Sequence, residues 1–259
     1  TSQSDKKKYR ALTLPNGLRV LLASDAKADT AAAALDVHVG HFSDPDDVAG
    51  LAHFCEHMLF LGTQKFPQEG ELEDYLSRHG GSSNAYTATE DTCYFFSLNQ
   101  DALLPALERF SQFFVSPLFT AQGVDRELNA IESENAKNLN QDSWRQDQLF
   151  KTRFNPQHPF TKFGTGNKYT LKDRTAAKKI NLRDQLLKFH ERYYSANMMT
   201  LSVCGREDLD TLQHTVVKLF SDVPNKDVPP PEAAWAGKVP PMLSKGSQTG
   251  AYSVVPVND

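Results

Sequence analysis

The chain has 259 residues, with 28 Lys and Arg against 32 Asp and Glu, for a net charge of −4. Hydrophobic residues make up 39% and charged residues 23%, which excludes a disordered or collagen-like chain. No apolar run approaches the roughly 18 residues of a membrane helix, and the acidic balance lacks the basic footprint of a nucleic-acid binder, so neither a membrane nor a nucleic acid is expected as partner.

The first ten residues are polar and basic, with Lys6, Lys7 and Lys8, and show no apolar core of an export signal. Asn16-Gly17 lies between two apolar stretches and predicts a hairpin turn, because both turn positions favour positive φ. Residues 31–40 predict a second apolar strand. A polar loop over 43–48 follows, and Asp46 or Asp47 is the expected cap of the next helix. That helix is predicted over 49–61 and stops at Gly62, and another over 69–79 stops at Gly80-Gly81. Residues 82–98 alternate as a hairpin does.

An amphipathic helix is expected over 101–115 and a long polar one, rich in carboxylates, over 120–140. A further helix is predicted over 142–154 and a loop over 155–170. Helix 182–194, strand 198–204 and helix 208–220 complete the pattern. Hairpin strands separated by helices predict an α+β fold, a mainly antiparallel sheet packed with helices. Six prolines between Pro224 and Pro241 then mark a change of character. The expected division is a catalytic domain over 1–223, and over 224–259 a proline-rich linker with the start of a second, mostly absent domain. Cys55, Cys93 and Cys204 are few and widely spaced. That predicts no disulfide framework, a reducing compartment and a cytoplasmic location.

His53-Phe54-Cys55-Glu56-His57 is the sharpest motif. Helix positions four apart share a face, so both imidazoles can reach one metal ion. Glu56 sits close to that face, where a carboxylate can take a proton from water instead of binding metal. This is the inverted zincin pattern. Chance gives about one such match per hundred chains of this composition, and the plain alternative is a helix with two ordinary histidines. One zinc ion needs a third protein ligand and an open position. Glu127 and Glu134 are seven apart on one helical face, while Glu132 points elsewhere as a solvated carboxylate. Spacing leaves the choice between Glu127 and Glu134 open. Zinc, water and Glu56 together imply amide hydrolysis, with Glu56 moving the proton to the leaving amine.

With these residues in view, the chain resembles the pitrilysin family of inverted zinc peptidases. The similarity runs from about Leu12 to Phe220 and is clearest over residues 50–63, the run Gly81-Ser82-Ser83-Asn84-Ala85-Tyr86-Thr87, and the stretch from His158 through Phe163-Gly164-Thr165-Gly166-Asn167-Lys168 to Leu171. The resemblance implies the pitrilysin-like domain shared with mitochondrial processing peptidases. It implies zinc ligands His53, His57 and Glu134, with Glu56 as base and Glu127 as support for a histidine. It further implies that Asn84, Ala85 and Tyr86 pair with substrate backbone, and that Trp144 lines the site. Judged without the resemblance, Tyr86 and Trp144 are equally well read as core aromatics. The implied substrates are small peptides such as insulin-like hormones. The remaining domains of the same protease are expected partners, and a homodimer of the full-length enzyme is a further one. The alternative is a zinc-bearing peptide-binding module with little turnover of its own. Residues 164–168 fail the spacing of a phosphate loop, and the resemblance implies no chemical role for them.

Overall fold

The structure is a computed structural model, and it describes residues 5–243 and 253–257. In chain order the strands are β1 (Lys8–Thr13), β2 (Arg19–Ser24), β3 (Thr30–Val37), β4 (Ser82–Thr87), β5 (Thr92–Asn99) and β6 (Met199–Gly205). The helices are α1 (Leu51–Met58), α2 (Glu71–Arg78), α3 (Leu103–Val115), α4 (Ala121–Asn138), α5 (Asp142–Lys151), α6 (Arg174–Ala177), α7 (Leu182–Tyr193), α8 (Leu209–Phe220) and α9 (Pro231–Trp235). Among the described residues no helix is long and apolar enough to cross a membrane.

The strands form one six-stranded sheet among the described residues, in the order β1-β2-β6-β3-β5-β4. The β1–β2 hairpin turns at Asn16-Gly17, and its strands pair antiparallel from Lys8↔Ser24 to Thr13↔Arg19. β2 and β6 are the parallel pair, and the other neighbours run antiparallel. The fold is therefore the expected α+β one with a mainly antiparallel sheet. Strand β6 enters between β2 and β3, so a segment far along the chain completes the centre of the sheet.

Register explains where the core lies. Leu35 pairs with Tyr94 on one side and Leu201 on the other, and Ala33 pairs with Phe96 and Val203. All six are buried beneath the helices. Strands alternate their side chains between two faces, so the intervening residues point the other way. There Leu21 and Phe95 stay partly exposed. Phe54, Cys55 and Met58 of α1 are fully buried against this core. Each large apolar side chain so buried contributes about 1.5–3 kcal/mol, and together they fix the rotation of α1 about its axis.

Two local expectations differ from the structure. The entry to α1 is bonded by Asp44, not by Asp46 or Asp47. Asp44 accepts from Gly50 N at 2.7 Å and Ala52 N at 2.8 Å. Asp47 instead pairs with Arg174 and Lys178, and Asp46 with Lys162. The reason is Gly50, whose left-handed φ of 91° folds the preceding chain back so that Asp44 lies under the first turn. A π turn at Tyr169–Asp173 overlaps only the last two residues of the expected loop and runs on into α6, a stretch for which no element was expected. Buried Leu171 and Thr175 anchor it, with Thr175 Oγ1 donating to Leu171 O at 2.8 Å.

The proline-rich stretch lies along the domain as far as Leu243. Ala196 N donates to Pro224 O at 2.9 Å, Asn197 Nδ2 to Val228 O at 2.8 Å, and Asn155 N to Met242 O at 2.9 Å. The rest of the expected linker and second-domain start, residues 244–252 and 258–259, lies outside the described residues.

Candidate metal centre

A cleft of about 920 Å³ opens between α1, the outer strand β4, α4 and α5. Four elements deliver its polar groups. Helix α1 supplies His53, Glu56 and His57, because its opposite face is locked into the core. Helix α4 starts at Thr120, whose Oγ1 accepts from Gly123 N at 3.1 Å. It buries Leu128 and Ile131, which turns Glu127 and Glu134 toward α1. Glu132 lies outside the cleft lining and accepts from Lys168 N at 2.8 Å.

His53 Nε2 and His57 Nε2 stand 3.2 Å apart, with the rings perpendicular at 90°. Glu134 Oε2 is 3.3 Å from the first nitrogen and 3.5 Å from the second. Among the described residues no other group of three His, Cys, Asp or Glu side chains converges in this way. The remaining ring nitrogens are committed. His57 Nδ1 donates to Glu127 Oε1 at 2.7 Å, and His53 Nδ1 donates to Thr165 O at 2.7 Å. Both acceptors lack hydrogens, so each ring carries its proton on Nδ1 and turns a lone pair outward from Nε2. Two lone pairs and a carboxylate oxygen facing one point repel unless a cation sits there.

The spacing tests which cation fits. Ligands bonded to zinc at about 2.0–2.1 Å with tetrahedral angles lie about 3.3–3.4 Å from one another. The three observed separations of 3.2, 3.3 and 3.5 Å bracket that edge. Two imidazoles and a carboxylate are also a donor set zinc accepts, with one position left over. The residues therefore fit one Zn²⁺ ion. Glu134 is nearly half exposed, so that position faces the open cleft.

Electrostatics separate the roles. Burial opposes a charge on His57, but the carboxylates of Glu127 and Glu134 outweigh it and raise its pKa to about 9. With no cation bound, a proton at the imidazole Nε2 atoms fills that point instead, and its hydrogen bonds to Glu134 hold that carboxyl well below the usual carboxylate range. Glu56 is different. Burial raises its pKa, against the nearby imidazole of His53 and a 2.6 Å hydrogen bond from Thr87 Oγ1. A carboxylate that resists charge while a neighbour fixes its orientation suits proton transfer.

Asn84, Ala85 and Tyr86 lie on β4, the last strand of the sheet, and all three line the cleft. Ala85 N donates to Asn84 Oδ1, the side chain of the residue before it, at 2.9 Å. Tyr86 is half exposed, as is Trp144 on α5, so neither is a core aromatic. Cys55 is fully buried on the opposite side of α1. Sequence reasoning missed Thr87, Asp44 and the carbonyl of Thr165. The paired glycines at 164 and 166 were the available signal for the last.

A profile of the family described as Insulinase (Peptidase family M16) matches residues 19–157, more than half of the chain. One described as Peptidase M16 inactive domain matches residues 181–252. The chain belongs to the insulinase family of peptidases, M16. It is 56% identical to insulin-degrading enzyme of Homo sapiens over 231 residues, 89% of this chain and 23% of that protein. It is 54% identical to A-factor-processing enzyme of Saccharomyces cerevisiae over 227 residues, 87% of this chain and 22% of that protein. The crystal structure of pitrilysin superposes with a TM-score of 0.88 at 37% identity, over 94% of this chain and 25% of that one. The chain thus spans less than a quarter of the length of these curated relatives.

Proposed function

We propose that this chain is the zinc-bearing catalytic domain of an endopeptidase that hydrolyses small peptides, insulin-like hormones among them. The observation that carries the reading is the convergence of His53, His57 and Glu134 beside a buried, hydrogen-bonded Glu56. The names of the relatives support the substrate class. In this reading His53, His57 and Glu134 hold one Zn²⁺, which when bound supplies a Lewis acid for water and for the peptide carbonyl. Glu56 accepts the proton of the attacking water and returns it to the departing amine. Thr87 keeps the Glu56 carboxylate aimed during both transfers. Strand β4 takes an extended peptide as an added strand, through backbone groups such as Ala85 N–H. Main-chain pairing leaves side-chain choice loose, and Tyr86 and Trp144 supply apolar contact. The remaining domains of the longer protein close over the peptide.

A second reading is a peptide-binding module with little turnover as an isolated domain. The short span against the relatives favours it for this stretch of chain alone. One experiment separates the two. Cleavage of a quenched fluorogenic peptide is followed for the full-length protein, its Glu56→Gln variant and a chelator-treated sample. The proposal expects cleavage in the first alone; cleavage that survives either treatment contradicts it. Peptide binding without cleavage by the 259-residue chain alone, beside cleavage by the full-length protein, supports the second reading for this stretch.

A further inference from the structure

The carbonyl that orients His53 belongs to Thr165, 112 residues further along the chain. A backbone carbonyl cannot be aimed by a rotamer; the loop that carries it must be held. Three anchors hold the loop 163–167. Before it, Lys162 Nζ donates to Phe42 O at 2.9 Å and to Asp44 O. Within it, Gly164 lies flat on the buried His41 ring, where a Cβ would come within 2.7 Å. After Thr165, Gly166 has a φ of +74° and packs backbone to backbone on Gly50. A Cβ on Gly50 would fall on Gly166 Cα and within 3.1 Å of the Thr165 carbonyl carbon. Gly50 is also the residue at which α1 begins, three positions before His53. The loop and the helix that carries the histidine are thus joined at the one point where neither has a side chain.

We propose that the loop 163–167 positions His53, and that the Gly50–Gly166 contact sets how tightly the centre holds zinc. The inference rests on the zinc reading of the site. The Thr165 carbonyl fixes the proton of His53 on Nδ1, leaves Nε2 as the donor, and sets the ring plane. Such support beneath a metal-binding imidazole is worth about 10- to 100-fold in metal affinity. Widening the contact withdraws the carbonyl without touching a ligand. Gly166→Ala does this: its Cβ meets Leu171 Cδ1 at 3.0 Å and Gly50 Cα at 3.1 Å, at a φ that disfavours a side chain. Lys162→Met loosens the same loop from its other end. Gly237→Ala is the control, with a φ of +69° and nothing within 4 Å.

Zinc affinity of each metal-depleted full-length protein is measured by competition with a chromogenic chelator, with circular dichroism as a check on folding. The expected result is a loss of about 10- to 100-fold for Gly166→Ala, a smaller loss for Lys162→Met, and no change for Gly237→Ala. The cobalt(II)-substituted protein gives a second readout. Its d–d bands shift in the two loop variants and stay in place in the control, which a purely structural loop would not cause. Parent-like zinc affinity and unchanged bands in the folded loop variants overturn the inference. If Gly166→Ala does not fold, Lys162→Met decides alone. His53→Ala marks the separate failure: if the parent binds no zinc, or binds it no more tightly than His53→Ala does, the zinc reading itself falls, and this inference with it.

Discussion

The metal cleft and the aromatic interior behind α7 each bury a histidine, with opposite results. His57 in the cleft has a carboxylate on each side, and its pKa is raised to about 9. His190 stacks on Tyr194 at 4.7 Å and meets the Phe119 ring at 4.9 Å. Its Nε2 is buried without a partner. Burial and the charge of Lys226 lower its pKa to about 3. Desolvation alone makes a histidine neutral, and only placed carboxylates reverse that. The cleft therefore gathers charge where the interior expels it.

The largest effect comes from removing the charge that defines the cleft. Glu134→Gln keeps the shape but takes the anion from between the imidazoles. Zinc affinity, read by chelator competition, is expected to fall by more than about 100-fold, since a ligand matters more than its support. Glu127→Ala ranks next. It leaves the three proposed ligands in place but frees His57 Nδ1, and a loss of about 10- to 100-fold is expected in the same assay. Equal affinity in either variant would dissolve the contrast with His190.

A smaller effect is expected on the interior side. The unfolded histidine takes up a proton near pH 6.5, whereas folded His190 resists it down to about 3. The unfolded chain then binds more protons, so stability is present above about pH 6.5 and is lost as pH falls toward 3. Between pH 7 and pH 5 this loss amounts to up to about 2 kcal/mol. His190→Phe removes it, so urea midpoints of the variant should decline less over that range than those of the parent. Parallel declines would refute the assignment. The least effect belongs to the surface. Lys65 and Glu108 pair in partial exposure, and Lys65→Met should shift thermal stability by less than about 1 kcal/mol.

The same contrast marks what was legible in the sequence. The α+β class followed from hairpins at Asn16-Gly17 and over 82–98, because turn chemistry and alternation are local. That β6 enters the sheet between β2 and β3 was not legible, since strand order depends on long-range pairing. In the cleft, His53, Glu56 and His57 stood out because helical spacing forces them together. Glu127 and Glu134 shared a face by the same rule, but the choice between them needed the resemblance. Asp44 was hidden by a glycine turn, and Thr165 by the nature of its contribution. A backbone carbonyl leaves no residue type behind. Glycines at 50, 164 and 166 record it as places where a side chain is forbidden.

The central claim is that His53, His57 and Glu134 together hold one zinc ion. X-ray absorption at the zinc edge of the full-length protein, loaded with one equivalent, tests it most directly. The account predicts nitrogen and oxygen scatterers at about 2.0–2.1 Å, with two imidazole signatures in the parent and one in His53→Ala. A sulfur shell near about 2.3 Å, or a spectrum unchanged by His53→Ala, would contradict it.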